Sequence, residues 1–186
     1  MESKFSFFKE AVKNYKTSGT LVPSSRFLAN RMLKPIDFDK ADVIVELGPG
    51  DGAITKVILE KLQPHTKLIC FEINPIFLKE LEKITHPQLI LLNESAENLE
   101  GHLKTFGFTQ ADYIVSSLPL TIIPKKISHS ILSACYAVLK QRGLFIQYQY
   151  SLTYFKKLKL VFGKNITLDF ETLNFPPAFV YKCLKK

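Results

Sequence analysis

Two acidic residues bracket the part of the chain best suited to chemistry. Glu46 closes an apolar run in Val45-Glu-Leu-Gly-Pro-Gly-Asp-Gly-Ala53, and Glu72 sits near the end of Lys67-Leu-Ile-Cys-Phe-Glu-Ile73. A carboxylate at the end of a buried strand is costly to desolvate, so Glu46 either faces water or meets a cationic or hydrogen-bonding group. Gly48, Gly50 and Gly52 allow a tight turn and a close approach of ligand to backbone, with no Cβ in the way. Glu72 follows Gly52 by twenty residues, where an acidic side chain can accept hydrogen bonds from both ribose hydroxyls. Strand, glycine turn, helix and strand in this order form a nucleotide-type cofactor site at the carboxyl ends of a doubly wound sheet.

The pattern formally satisfies the dinucleotide fingerprint, with Ala53 as the third small residue. Two residues oppose a dinucleotide. Pro49 lacks an N–H where the loop should offer donors to a pyrophosphate, and Glu46 adds negative charge beside that anion. A cofactor with a cationic end and no phosphate suits Glu46 better. S-adenosylmethionine, with its α-ammonium, sulfonium and ribose, fits all three observations. A structural glycine turn with a solvated Glu46 is the alternative that asks for no ligand.

These residues need a scaffold, and the apolar periodicity supplies one. From residue 42 onward, strand-like and helix-like runs alternate: DVIVEL, ITKVILEKL, KLICFEI, IFLKELEKI and QLILL. After a polar helical stretch, the strand DYIVSS, the helix ISHSILSACYAVLK and the strand LFIQYQY complete the series. Such alternation predicts a parallel sheet with helices on both faces. A short basic helix, YFKKLKLVF, precedes NITLDFETL and AFVYKCL, two strands joined by a link too short for a crossover helix. The expected fold is therefore α/β, a Rossmann-like, doubly wound, mostly parallel seven-stranded sheet with a C-terminal antiparallel hairpin.

Ahead of the sheet, Phe5, Phe8, Val12 and Tyr15 recur at helical spacing, with Lys9, Lys13 and Lys16 largely off that stripe. This predicts an amphipathic helix, either packed on its own domain or lying in a membrane interface. After Thr17-Ser-Gly-Thr-Leu-Val-Pro-Ser-Ser25, Ser24 or Ser25 caps a helix through about Leu33, and Pro35 ends it. Residues 1–40 are assigned to N-terminal helices acting as a membrane or substrate cap, and 41–186 to the cofactor-binding domain.

Composition narrows the partners. The 186 residues carry 25 Lys+Arg against 17 Asp+Glu, a formal charge of +8, which favours nucleic acid or an acidic membrane surface. Cys70, Cys135 and Cys183 are far apart and read as buried, reduced thiols; neither they nor the four histidines show metal-ligand spacing. No apolar run is long enough to span a bilayer, and the N-terminus lacks the features of a secretory signal. The expected location is the cytoplasm.

VELGPGDG followed by FEINP resembles the first two motifs of the class I S-adenosylmethionine-dependent methyltransferases. The resemblance implies that Glu46 lies near the methionine amino group, Gly48, Pro49, Gly50 and Gly52 under the methionine, and Glu72, beside Ile73, on the ribose. Ser95, next to Ala96, stands where such enzymes often use an Asp near the adenine amine. Ser116-Ser-Leu-Pro-Leu120 occupies the acceptor-facing position, giving Ser116, Ser117, Leu118 and Pro119 as catalytic candidates. Adenine N6-methyltransferases are similar there, but place Asn or Asp before the proline and an aromatic ring after it, where this chain has Leu120. The front half also resembles ribosomal RNA adenine dimethyltransferases, without the extra helical domain of that family.

The basic first helix, GTLVPSS, SSLPL, FIQYQYS and LNFPPAFVY together are similar to bacterial phospholipid N-methyltransferases. That resemblance implies stepwise methylation of phosphatidylethanolamine towards phosphatidylcholine, at a membrane bound through the first helix. Tyr148 and Tyr150 share one strand face and, with Tyr154 nearby, are candidates to hold a methylated ammonium by cation–π contact or to relay its proton; the alternative is that they cover the sheet edge. Lys156, Lys157 and Lys159 either meet lipid phosphates or form a solvated helix face. The expected partners are an anionic membrane surface and an aminophospholipid. RNA is the competing substrate, and a non-catalytic module binding membrane or nucleic acid is the competing class. No protein partner and no metal are inferred.

Overall fold

The structure, a computed structural model, describes residues 24–186. The expected first helix, Phe5–Lys16, lies outside the described residues. Helix α1 (Arg26–Leu33) begins at Ser25, whose side chain accepts a hydrogen bond from the Leu28 N–H at 3.2 Å. Five parallel strands follow, β1 (Val43–Leu47), β2 (Lys67–Phe71), β3 (Leu89–Leu92), β4 (Ala111–Ser116) and β5 (Leu139–Gln149). Between them run α2 (Ala53–Leu59), α3 (Pro75–Leu81), α4 (Leu99–Thr105) and α5 (Lys125–Val138). The chain ends with α6 (Phe155–Phe162), β6 (Ile166–Glu171) and β7 (Ala178–Leu184).

The sheet order is β3-β2-β1-β4-β5-β7-β6, with β7 antiparallel to both of its neighbours. The expected parallel sheet and terminal hairpin are both present. Every residue of β1 is buried, as a strand covered on both faces requires, and its side chains alternate between two cores. Val43, Val45 and Leu47 join the core under α4, α5 and α6, which Ile131, Leu132, Cys135, Leu158 and Phe162 fill. Ile44 points to the other face, into a core built with Leu28 and Met32 of α1 and Ile54 and Ile58 of α2. All three cysteines are buried and unbridged.

One boundary differs from the periodicity. The helix expected through Lys140 ends at Val138, and β5 starts at Leu139 rather than Leu144. A register irregularity between Ala111 and Tyr113 lies opposite this stretch, and Arg142 has φ of +66°. A Cβ on Gly143 would lie 2.8 Å from the Asp112 carbonyl oxygen, so only glycine lets the two strands approach there.

Candidate active site

Strand order reverses between β1 and β4, and their carboxyl ends open a crevice at that switch point. The turn after β1 is held by left-handed glycines, with φ of +67° at Gly48, +60° at Gly50 and +80° at Gly52. The structure distinguishes the three. A Cβ on Gly48 would meet Leu118 Cδ2 at 2.8 Å, and one on Gly52 would meet Ile84 Cδ1 at 2.9 Å, so at both positions a side chain would have to displace a neighbour as well as strain a left-handed backbone. At Gly50 the nearest atom to a Cβ is Phe77 Cζ at 3.9 Å, which leaves room there.

Glu46 is wholly buried. It shares a sheet face with Cys70 and with α2, not with the cleft floor at Leu47. Its Oε2 accepts hydrogen bonds from Thr55 Oγ1 at 2.7 Å and from Cys70 Sγ at 3.4 Å. Its Oε1 has no hydrogen-bond partner among the described residues. Burial pushes the carboxyl up to about 7, with Glu72 and Asp51 adding to the rise while the Thr55 and Cys70 bonds oppose it. A carboxyl poised in this way, with one oxygen unsatisfied, suits a cationic ligand group.

Glu72 binds the two motifs together. Its Oε2 accepts from the Gly50 N–H at 3.1 Å and its Oε1 from the Asn74 N–H at 2.7 Å. Asn74 in turn caps α3 through the Ile76 N–H, with Pro75 as the first helical residue. Asn93 Nδ2 donates to the Glu72 carbonyl at 2.8 Å, fixing the end of β3 beside it. An open cleft of about 300 Å³, counted out to solvent, brings together Gly48, Glu72, Ile73, Ser95, Ala96 and Leu118. Ser95 Oγ accepts from the Glu97 N–H at 3.3 Å and so shapes the turn after β3. Pro49 sits in the glycine turn, where Gly52 N–H donates to its carbonyl at 3.0 Å.

These residues fit S-adenosylmethionine. The unsatisfied oxygen of Glu46 suits the amino end, the open backbone at Gly50 admits the chain, and the Glu72 carboxylate suits ribose hydroxyls. Pro49 and the carboxylates again speak against a pyrophosphate.

On the acceptor side, Ser116 is buried and its Oγ accepts from the Leu118 N–H at 3.4 Å, while the Ser117 N–H donates to the Leu47 carbonyl at 2.9 Å. Pro119 is part-exposed, and its carbonyl accepts from the Ile122 N–H at 2.9 Å. Two glutamines that sequence reasoning missed complete the site. Gln147 Nε2 and Gln149 Nε2 each donate to the Leu118 carbonyl at 3.1 Å, and the Leu120 N–H reaches the same oxygen at 2.8 Å. Gln147 Nε2 also donates to the Tyr148 carbonyl at 2.6 Å, which fixes the amide's orientation and leaves Oε1 buried without a partner among the described residues. The only sequence signal was their alternation with Tyr148 and Tyr150.

The tyrosines are divided. Tyr148 and Tyr150 lie edge to face, 5.7 Å between centroids, and pack on the α1 and α2 side of the sheet. That is the face of Glu46, since Glu46 pairs with Val115 and Val115 with Ile146, one pleat before Tyr148. Ser24 Oγ lies 3.5 Å from the Tyr148 hydroxyl. Tyr154 is buried in the opposite core with Leu158, so it does not join the other two in one cage.

Comparison with known proteins identifies the relatives of this site. The family model for ribosomal RNA adenine dimethylase matches residues 20–151. The chain is 30% identical over 185 residues to an ornithine lipid N-methyltransferase of Singulisphaera acidiphila, covering 98% of this chain and 96% of that one. It is 33% identical over 85 residues to the ribosomal RNA small subunit methyltransferase A of Hydrogenobaculum sp., covering 46% of this chain and 32% of that one. In fold it is similar to a precorrin-6y C5,15-methyltransferase of Geobacter metallireducens, with a TM-score of 0.68, 13% identity and coverage of 89% and 92%. The chain is an S-adenosylmethionine-dependent class I methyltransferase, and it belongs to the ribosomal RNA adenine dimethylase family.

Proposed function

We propose that the chain methylates the primary amine in the headgroup of an aminolipid, acting as a peripheral enzyme on the cytoplasmic side of a membrane. The observation that carries this reading is the state of the Leu118 carbonyl. An adenine N6 acceptor asks for a free backbone carbonyl to take its exocyclic amine, and an aromatic ring to stack on the base. Here three donors already occupy that carbonyl, and Leu120, at the position of the ring, is 1% exposed. The near full-length similarity to an ornithine lipid N-methyltransferase supports the same choice. Phosphatidylethanolamine and ornithine lipid both present the required primary amine.

When bound, the cofactor would supply an electrophilic methyl group on its sulfonium. Glu46 would hold its amino end, the Gly48–Gly52 turn, Pro49 included, would receive the methionine, and Glu72 with Ile73 would orient the ribose; Ser95 and Ala96 would contact the adenine. Ser116, Ser117, Leu118 and Pro119 form the wall facing the acceptor, held in place by Gln147 and Gln149. Tyr148 and Tyr150 lie on the α1 side of the sheet, opposite the Leu118 wall, and would meet a methylated headgroup only past the carboxyl end of β5. The amine has to be unprotonated to react. Its lone pair would form the N–C bond in line as the S–C bond of the sulfonium breaks, leaving a neutral thioether and a methylated ammonium whose proton passes to solvent. Positioning and exclusion of water would therefore supply most of the rate. Residues 1–40 would act as a membrane or substrate cap.

The test offers labelled S-adenosylmethionine to vesicles containing phosphatidylethanolamine or ornithine lipid, with ribosomal RNA in parallel. Label in lipid is expected. Label in RNA alone would overturn the proposal in favour of adenine methylation, and measurable cofactor affinity with label in neither would show that the acceptor is wrongly assigned.

A further inference from the structure

The surface around the cleft is asymmetric in two ways that the methyl-transfer chemistry does not explain. Ten large apolar side chains are exposed among the described residues. Five of them, Ile76, Ile122, Leu152, Leu173 and Phe175, lie on loops or a first helical turn at the carboxyl edge of the parallel strands. The β6–β7 loop belongs to this edge because Gln149, at the end of β5, pairs with Phe179 at the start of β7. The opposite edge has one, Phe106, and the remaining four lie on α1, α6 and β6. Exposed leucines scattered singly need no explanation, whereas a row of them rimming one cleft does.

The charge is equally one-sided. Between Tyr113 and Leu168 there are eight Lys or Arg residues and no Asp or Glu, so that stretch carries the whole excess of +8. Lys125 and Lys126 open α5 beside Ile122, and Lys156 and Lys157 open α6 beside Leu152, on neighbouring helices at the same edge. None of these four has a carboxylate within 4.0 Å among the described residues. The exposed acids of this edge, Asp51, Glu94 and Glu97, belong to its β1–β3 half.

We propose that the β4–β5–β7 half of this edge is the docking face for an anionic bilayer. Ile122, Leu152, Leu173 and Phe175 enter the interfacial region, while Lys125, Lys126, Lys156 and Lys157 meet lipid phosphates. The proposal rests on the aminolipid reading above and adds the surface and its orientation. With this edge down, a headgroup reaches the Leu118 wall while its acyl chains stay in the bilayer. RNA would also attract the lysines, but Ile122, Leu152 and Leu173 have no π face to offer a base. The loop is firmly held, since Asn174 Oδ1 accepts from the Ser25 N–H at 3.0 Å and Asn174 Nδ2 donates to the Pro176 carbonyl at 2.7 Å. Leu173 and Phe175 are thus presented by a braced loop.

The experiment measures binding of the full chain to vesicles of phosphatidylcholine with and without phosphatidylglycerol. Neither lipid carries a primary amine, so docking is read apart from turnover. The apolar variant is Ile122→Ser/Leu152→Ser/Phe175→Ser, and the basic variant is Lys125→Glu/Lys126→Glu/Lys156→Glu/Lys157→Glu. Each is expected to bind phosphatidylglycerol vesicles at least tenfold more weakly than the parent. Cofactor affinity by calorimetry, and methylation of aminolipid dispersed in detergent, should stay at parental values. Vesicle binding at the parental level in both variants would overturn the docking face even with lipid methylation intact. So would binding lost only on Phe5→Ser/Phe8→Ser, or lysine-dependent binding of single-stranded RNA with vesicle binding untouched by the apolar variant. Docking through these residues by a chain that methylates no aminolipid, in vesicles or detergent, would uphold the face and overturn the proposed function instead.

Discussion

Replacing Glu46 by Gln separates what the fold needs from what the cofactor needs. The folded carboxyl titrates at about 7, against 4.5 for an ordinary one, a difference corresponding to about 3 kcal/mol at about 1.4 kcal/mol per pH unit. The sign follows from proton uptake. Between pH 4.5 and 7 the folded state holds a proton that the unfolded chain releases, so stability falls as pH rises through this window. Burial in a sheet covered on both faces is the cause, and Thr55 and Cys70 satisfy only one of the two oxygens. Glu46→Gln removes the titrating group. Urea unfolding of the cofactor-free proteins should therefore show the variant gaining on the parent by about 2–3 kcal/mol between pH 5 and pH 8. Cofactor binding should move the other way. Loss of a charge-assisted hydrogen bond is worth about 1.5–3 kcal/mol, so calorimetry should find S-adenosylmethionine bound about 10- to 100-fold more weakly. Parallel pH–stability curves would refute the assigned burial energetics. Equal affinities would refute a cationic group at Glu46.

Three further substitutions probe the turn and the wall. Gly52→Ala places a Cβ 2.9 Å from Ile84 Cδ1 at φ of +80° and should cost about 1–3 kcal/mol in stability; an unchanged melting temperature contradicts the packing argument. Gly50→Leu meets open space but puts a side chain at φ of +60°, so it should cost about 1–2 kcal/mol of backbone strain alone while abolishing cofactor binding, and unaltered calorimetric affinity counts against the turn as the cofactor floor. Gln149→Leu removes one of three donors to the Leu118 carbonyl and should lower kcat several-fold at unchanged cofactor affinity, whereas a parental kcat would detach this wall from the acceptor.

The secondary structure was legible because buried parallel strands are short apolar runs, and the helices between them show their apolar stripe at helical spacing. The cofactor half of the site was legible for a related reason: its chemistry is concentrated in two short motifs, each at the end of one strand. The acceptor half is assembled across strands. Gln149 and Leu118 are 31 residues apart, and nothing local to either announces the contact. Alternation places Tyr148 and Tyr150 on one face and Gln147 and Gln149 on the other, but which face meets the Leu118 wall depends on the register of β5 with β4. Glu46 shows the same limit. Its position at a strand end was plain, yet its burial beneath α1 and α2, and its bonds to Thr55 and Cys70, depend on packing that no single motif encodes.

The sheet order also sets how the two halves of the site are closed. Among the described residues β6 pairs only with β7, and β7 lies between β5 and β6, so the strand latest in chain order within this sheet closes its interior. Until β7 docks, β5 has an open edge and β6 has no sheet to join. The β1–β4 region, with the glycine turn and Glu72, takes no strand pairing from β7. Gln147 and Gln149 do, because their backbones pair with Tyr181 and Phe179. The two halves of the site therefore differ in what closes them: the strands that carry the cofactor cradle pair with one another alone, while the strand behind the methyl-acceptor wall is paired on both edges only once β7 is in place.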